Sequence, residues 1–316
     1  MKYETLWRRL TGIYDRDEAK AIVRWVLDVR FGLSLTDIVC GKTDELSEAE
    51  QAELEVIMQR LEKAEPVQYV VGVAEFCGRP FYVEPGVLIP RPETGELCEE
   101  ILEVRGFLEE RGKRKEERDY QRGGYQILDI GTGSGCIAIT LALGMKEAKV
   151  TAWDVSEKAL HIAQENAKML GADVTFEKQD ILELHLEEQN ISLTIPEQSS
   201  PTRSLSHLLP LTSKYDLIVS NPPYVCDKEK ATMERHVLEH EPHLALFVPD
   251  DDPLRFYRAI ALYAKEALKP GGLLYFELNP PYARETEALL QDLGFAETEI
   301  KPDMFGKQRF LKAKKI

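Results

Sequence analysis

The spacing of apolar residues changes character twice along this chain. Near the N-terminus it has the period of a helix. Leu6, Leu10 and Ile13 share one face, as do Ala19, Ile22, Val23, Val26 and Leu27, and later Leu54, Ile57, Met58 and Leu61. Ser47-Glu48-Ala49-Glu50 has the form of a capping box, with Ser47 at the N-cap and Glu50 three residues on. Residues 1–64 therefore read as a small helical domain. Over 65–92 the helical period gives way to Phe76, Phe81, Tyr82, Val83, Val87, Leu88 and Ile89, set among Gly72, Gly78, Pro80, Pro85 and Gly86. That pattern predicts a hairpin and a linker.

From residue 93 onward, short apolar runs alternate with amphipathic stretches. A helix is expected from about Thr94, through 95–104. Strands are expected at 126–130, 149–153, 174–177, 215–220, 272–278, 297–300 and 309–313. Helices are expected at 136–143, 157–170, 254–268 and 284–293. This alternation predicts an α/β fold, a doubly wound and mostly parallel sheet, over 93–316. The last two strands are joined by a short link, so the final one should run antiparallel. Two stretches break the pattern: 105–124 is mostly charged, and 185–214 is rich in Ser, Thr and Pro. Both read as exposed insertions.

Composition narrows the class. The net charge is −15, from 55 acidic and 40 basic residues, which lacks the basic footprint of a protein that tracks phosphates. No apolar run approaches the ~18 residues of a membrane span. The start, Met1-Lys2-Tyr3-Glu4, leads into a charged amphipathic stretch unlike a signal peptide. The five cysteines are scattered with no Cys-x-x-Cys pair, which points to a reducing cytoplasm and away from disulfides or zinc. The histidines have no metal-site spacing, so no metal is expected.

Four segments carry candidate chemistry. Asp129 to Gly135 runs from a strand into a glycine-rich turn and a helix, with Gly131, Gly133 and Gly135 at alternate positions around Thr132 and Ser134. Cys136 stands where a dinucleotide fingerprint would want Gly or Ala. Alternate glycines let a ligand lie against the backbone, and Asp129 offers a carboxylate to a cationic amino group. S-adenosylmethionine, with an ammonium, a ribose and no phosphates, fits such a turn; the other reading is a tight turn that needs positive φ. Asp154 ends the next strand, roughly 20 residues past Gly131, where an acid binds ribose hydroxyls in nucleoside-binding folds; it could instead cap the following helix. Asp180 and Ile181 follow the third strand, placed to accept from an adenine amino group and cover its ring. Asn221-Pro222-Pro223-Tyr224 follows the fourth strand. A residue before proline is held extended, and two prolines supply no N–H. The result is a stiff ledge that presents an Asn amide, bare carbonyls and an aromatic ring. Asn221 Oδ1 and the Pro222 carbonyl can accept both hydrogens of a planar –NH2 group while Tyr224 packs on its face.

With these residues the chain resembles the class I S-adenosylmethionine-dependent methyltransferases, and more narrowly the release-factor glutamine methyltransferases (the PrmC/HemK family). Beyond the glycine turn and the Asn-Pro-Pro-Tyr ledge, the resemblance rests on Glu65 to Tyr69, Val87 to Thr94, Phe256-Tyr257 and Lys269 to Gly272. It implies a Rossmann-like seven-stranded catalytic domain behind a small N-terminal helical domain that recognises substrate. The implied reaction is methylation of the glutamine in the Gly-Gly-Gln loop of peptide chain release factors. Asn221, Pro222 and Tyr224 would be catalytic; these with Pro223, Arg91 and Glu93 would bind substrate. Asp129, Gly131, Thr132, Gly133, Ser134, Gly135, Asp154, Asp180, Ile181 and Asn221 would meet the cofactor. The sister methyltransferases of a ribosomal-protein glutamine usually carry Arg-Ser-Pro where Arg91-Pro92-Glu93-Thr94 stands here. Adenine-N6 methyltransferases share the ledge but lack the helical domain and this linker. A cofactor-binding scaffold with a decayed site would not need an intact ledge. Gly95 departs from the family's usual Glu, and a second Asn-Pro-Pro-Tyr, from Asn279 to Tyr282, reads as structural.

Overall fold

The computed structural model describes residues 1–111, 124–184 and 213–316. The two polar insertions fall largely outside the described residues; residues 105–111 continue a helix. The N-terminal helices are α1 (Tyr3–Arg9), α2 (Arg16–Phe31), α3 (Leu35–Val39), α4 (Glu48–Leu61) and α5 (Val67–Val71). Local chemistry sets their ends. Asp15 caps α2 by accepting from the amides of Asp17 and Glu18, and Gly32 closes it at φ 65°. Ser47 and Glu50 form the reciprocal capping box at α4. The apolar stripes meet in one cluster that includes Leu6, Leu10, Val23, Leu27, Leu54 and Met58, and Val70 and Val71 of α5 join it. The start of the expected hairpin is thus helical, because residues 67–71 have an apolar surface to pack on.

The hairpin proper is β1 (Val73–Phe76) and β2 (Arg79–Tyr82), paired antiparallel. The α/β part follows as α6 (Pro92–Arg111), β3 (Tyr125–Ile130), α7 (Cys136–Gly144), β4 (Ala148–Asp154), α8 (Glu157–Leu170), β5 (Val174–Lys178) and β6 (Tyr215–Ser220). Then come β7 (Val225–Cys226), α9 (Arg235–His240), α10 (His243–Leu246), β8 (Phe247–Val248), α11 (Arg255–Ala267), β9 (Leu268–Glu277), α12 (Ala283–Asp292), β10 (Phe295–Pro302) and β11 (Gln308–Lys315).

Seven strands form one sheet in the order β10-β11-β9-β6-β3-β4-β5. The run from β9 to β5 is parallel, and β11 lies antiparallel between β9 and β10. Residues alternate between two cores across the sheet. Leu128, Ile130, Ile218, Leu274 and Phe276 face a cluster with Tyr257, Ala261 and Ala264 of α11. Ile127, Leu217, Val219, Leu273 and Tyr275 face one with Leu97 and Ile101 of α6 and Ile137 and Leu141 of α7. Burial on both faces is why these strands read as continuous apolar runs. Strand β9 begins at Leu268, earlier than the pattern suggested, because Leu268 pairs with Tyr215 across a register irregularity. The short β7–β8 pair, between residues 225 and 248, is too brief to show in the pattern.

After β3 the chain moves outward to β4 and β5, then returns to place β6 on the other side of β3. The crevice between the C-terminal ends of β3 and β6 is therefore the switch point where open α/β sheets bind ligands.

Candidate active site

Two of the sequence motifs meet at that switch point. Ile130 pairs with Ser220, and the Ser220 hydroxyl donates to the Ile130 carbonyl at 2.6 Å. The glycine turn and the Asn221 ledge leave these neighbouring residues side by side. A Cβ added to Gly131 would lie 4.0 Å from the Asn221 carbonyl oxygen.

The three glycines have separate jobs. Gly131, Gly133 and Gly135 all have positive φ, at 76°, 54° and 83°, a region that disfavours side chains. A Cβ at Gly133 would meet nothing within 4 Å, so that part of the turn borders open space. A Cβ at Gly135 would strike Ile139 at 2.9 Å and Ala163 at 3.0 Å. Gly135 therefore serves the close packing of α8 against the turn.

Asp129 sits beneath the turn, fully buried. Its Oδ2 accepts from the Thr132 hydroxyl at 2.6 Å and the Ala138 amide at 3.2 Å, while its Oδ1 is buried with no partner. Burial pushes its carboxyl up to about 7, against the pull of those two donors and with a small further push from Asp154. An orphaned acceptor beneath an open glycine backbone fits a ligand that brings a cationic amino group. Asp154, at the end of β4, uses Oδ2 to accept from the Gly133 amide and Oδ1 to accept from the Ser156 amide, both at 2.9 Å. Burial raises its carboxyl, and the backbone donors oppose the rise. The cap of α8 is Ser156, whose hydroxyl accepts from the Ala159 amide, so Asp154 is free of the capping role. Asp154 instead braces the glycine turn. Asp180 is half-buried and accepts from the Leu182 amide at 2.8 Å, while Ile181 belongs to the core cluster with Ile130 and Trp153.

On the ledge, Pro222 is buried and Asn221, Pro223 and Tyr224 are partly exposed. Asn221 Nδ2 donates to the Thr94 hydroxyl at 3.2 Å. The Tyr224 hydroxyl donates to Glu277 Oε1 at 3.0 Å. The second Asn-Pro-Pro-Tyr is a brace: buried Asn279 donates to the Tyr224 carbonyl at 3.0 Å and to Glu229 at 2.9 Å. Arg91 pairs with the buried carboxylate of Glu241 at 2.6 Å, and Glu241 also accepts from the Ile89 amide at 3.2 Å. Arg91 thus ties the linker to the segment that follows the ledge. Glu93 is partly exposed in the first turn of α6. A separate cavity of about 610 Å³ among the N-terminal helices, lined by Ile22, Trp25, Leu35 and Val67, shares no residue with this site. Among the described residues, no group of three His, Cys, Asp or Glu side chains is placed to hold a metal ion.

The chain matches a family described as a methyltransferase domain over residues 121–279 and one described as a PrmC N-terminal domain over residues 7–72. It is 45% identical to the release factor glutamine methyltransferase of Bacteroides thetaiotaomicron, over 96% of this chain and 95% of that one. It is 38% identical to that of Flavobacterium psychrophilum, over 96% and 94%. The chain belongs to the release factor glutamine methyltransferase family. Among solved structures it is similar to a release factor-specific protein-(glutamine-N5) methyltransferase from Alicyclobacillus acidocaldarius, at 24% identity and TM-score 0.37, covering 74% of this chain and 99% of that one.

Several residues of this methyltransferase that shape the site were not singled out from sequence. Thr94 and Glu277 join Asn221 and Tyr224 in one network. Buried Asn166 clamps both the hairpin and the turn: its amide pairs with Tyr82 through both backbone atoms and donates to the Ser134 carbonyl at 2.9 Å. Glu241 anchors the linker. A charged residue at the end of an otherwise apolar run is the signal that could have flagged Glu277 in β9; Thr94, Asn166 and Glu241 sit in polar stretches and carry no such signal.

Proposed function

We propose that this methyltransferase moves a methyl group from S-adenosylmethionine to the side-chain amide nitrogen of a glutamine, that of the Gly-Gly-Gln loop of peptide chain release factors, and so modulates translation termination. The observation that carries the reading is the contact of two motifs at one switch point: an open glycine backbone over an orphaned buried carboxylate oxygen, beside a rigid Asn-Pro-Pro-Tyr ledge.

The residues that would hold the cofactor are Asp129 for its ammonium, Gly131 to Gly135 for its body, Asp154 for the ribose, and Asp180 with Ile181 for the adenine. The Asp154 carboxylate accepts from the backbone of the turn and of Ser156 and has further acceptor capacity for a ribose hydroxyl. When bound, the cofactor supplies a methyl on a sulfonium, whose leaving group needs no activation.

The chain's own task is the nucleophile. An amide nitrogen has a delocalised lone pair, so it must be held in attack geometry. Asn221 Oδ1 and the Pro222 carbonyl accept its two hydrogens, and the Tyr224 ring supports the amide plane. Fixing both reactants in that geometry contributes roughly 7–11 kcal/mol in favourable cases. No strong base is required, since alkylation of the neutral amide nitrogen leaves it cationic and strongly acidic, and the extra proton passes to water to give the neutral N-methyl amide.

The helical N-terminal domain, residues 1–64, is the proposed recognition surface for the protein substrate, joined to the rest of the chain through the linker over 65–92. The cytoplasm is the proposed compartment; all five cysteines are free thiols, as a reducing environment keeps them. No helix among the described residues is long and apolar enough to cross a membrane.

The test is transfer of labelled methyl to a purified bacterial-type release factor, beside a version with the loop glutamine replaced. Label in the first and none in the second is expected. Equal labelling of both would overturn the proposal.

A further inference from the structure

The substrate amide needs an acceptor, yet an Asn side chain presents oxygen or nitrogen with almost the same shape. Something must decide which faces the substrate. Glu277, the last residue of β9, is buried, and both carboxylate oxygens are in use. Oε2 accepts from the Thr94 hydroxyl at 2.6 Å and Oε1 from the Tyr224 hydroxyl at 3.0 Å. A threonine hydroxyl has one hydrogen. Once that hydrogen is given to Glu277, Oγ1 can only accept, and the group 3.2 Å away must be the –NH2 end of Asn221. Asn221 Oδ1 is then turned to the other side. With the amide flipped, two acceptors would face each other.

We propose that Thr94 and Glu277 are positioning residues for methyl transfer: a buried carboxylate polarises a threonine hydroxyl, which fixes the Asn221 amide with its oxygen toward the substrate nitrogen. The same carboxyl group holds the Tyr224 ring, so both working side chains of the ledge answer to one buried residue. The backbone around Glu277 is pinned as well. The Tyr257 hydroxyl donates to the Glu277 carbonyl and accepts from the Asn279 amide, both at 3.1 Å. Nearby Arg309 gives its hydrogen bonds to Asp303 and the Leu278 carbonyl, which leaves the Glu277 oxygens to Thr94 and Tyr224. The inference rests on the reading of Asn221 as the residue that holds the amide.

The experiment compares Thr94→Val, Thr94→Ser, Glu277→Gln, Asn221→Ala and the Thr94→Val/Asn221→Ala double variant in the full chain. Single-turnover methyl transfer to a release factor, cofactor affinity, substrate KM and thermal melting are read for each. Thr94→Val keeps the shape and removes the relay; its turnover should fall roughly 10- to 100-fold, with cofactor affinity and KM within about threefold. Thr94→Ser should recover to within about threefold of the native enzyme, and Glu277→Gln should resemble Thr94→Val. The double variant should be no slower than Asn221→Ala alone, since a relay without its terminus has nothing left to lose. A purely structural role would instead lower the melting temperature and add to the Asn221→Ala loss. Native turnover in folded Thr94→Val, or additive losses in the double variant, overturns the inference while the reading of Asn221 stands. Native turnover in Asn221→Ala overturns both. If Thr94→Val does not fold, Thr94→Ala carries the same comparison.

Discussion

Asn221 is the side chain on which the chemistry should depend most. Asn221→Ala removes the proposed acceptor for the substrate amide and leaves the Thr94 hydroxyl without its donor. Loss of one well-placed polar partner costs roughly 10²–10³ in rate, and that is the expected fall in turnover, with cofactor affinity changed far less. Asn221→Asp keeps an acceptor oxygen but loses the –NH2 that meets Thr94, so partial activity is expected. Turnover and cofactor affinity measured side by side would check this, and native turnover in the alanine variant would reduce the ledge to a turn. Asp129 should give a pH signature. Its carboxyl is raised from 3.8 to about 7 by burial. The ligand-free fold therefore holds a proton that the unfolded chain has lost between those values, and its stability should fall as pH rises across that interval. A cationic amino group prefers the carboxylate, so cofactor affinity should rise over the upper part of the same interval and level off above about 7. Of the ionisable groups near Asp129, Asp154 adds to the rise, while the buried Cys98 thiol is held up by its hydrogen bond with Cys77 and by burial, and the Cys136 thiol by burial and by Asp129. Titration calorimetry from pH 5.5 to 8.5 on the native chain and Asp129→Asn should show the slope in the first and a flat, weaker affinity in the second.

At the scale of elements, the glycine turn is held by what surrounds it. Its first two amides, Gly131 and Thr132, donate to the Trp153 carbonyl at 2.9 Å, its Gly133 amide to Asp154, and its Ser134 carbonyl accepts from Asn166. Strand β4 and helix α8 thus mould the loop before any ligand arrives. Asp154→Ala takes away one of these braces along with the proposed ribose contact. Two hydrogen bonds to a carboxylate are worth about 2–4 kcal/mol here, so affinity for the cofactor should drop between tens- and a thousandfold, with a smaller effect on turnover at saturation. Unchanged affinity with only a lower melting temperature would leave Asp154 as a brace and nothing more.

At the scale of the molecule, charge is the proposed ground for a protein rather than a nucleic-acid substrate. A chain with net charge −15 repels a polyanion and gains little from counterion release. Methylation of a release factor should therefore exceed that of an adenine-containing oligonucleotide by orders of magnitude at any salt concentration, with no steep gain for the oligonucleotide as salt is lowered. Robust labelling of the oligonucleotide beside an unlabelled release factor would reverse the choice of substrate. The Arg91–Glu241 pair belongs to this scale too, because it joins the linker from the hairpin to the segment after the ledge.

What the sequence alone determined was local. Helix stripes, the Ser47 capping box, apolar strands and the glycine turn each lie within a few consecutive residues, where period and backbone preference are set by near neighbours. The two motifs at the ends of β3 and β6 were legible for the same reason, as was the antiparallel last strand behind its short link. What only the tertiary structure decided joins distant positions. Thr94 and Glu277 are 183 residues apart and Thr94 and Asn221 are 127 apart; no periodicity spans such distances. Val67–Val71 became a helix because the N-terminal core gave its apolar face a partner. Asp154 became a brace because the turn of a neighbouring strand turned its amide toward it. The sheet order brings such residues together, and burial then makes each of their hydrogen bonds count, because water is not there to replace it.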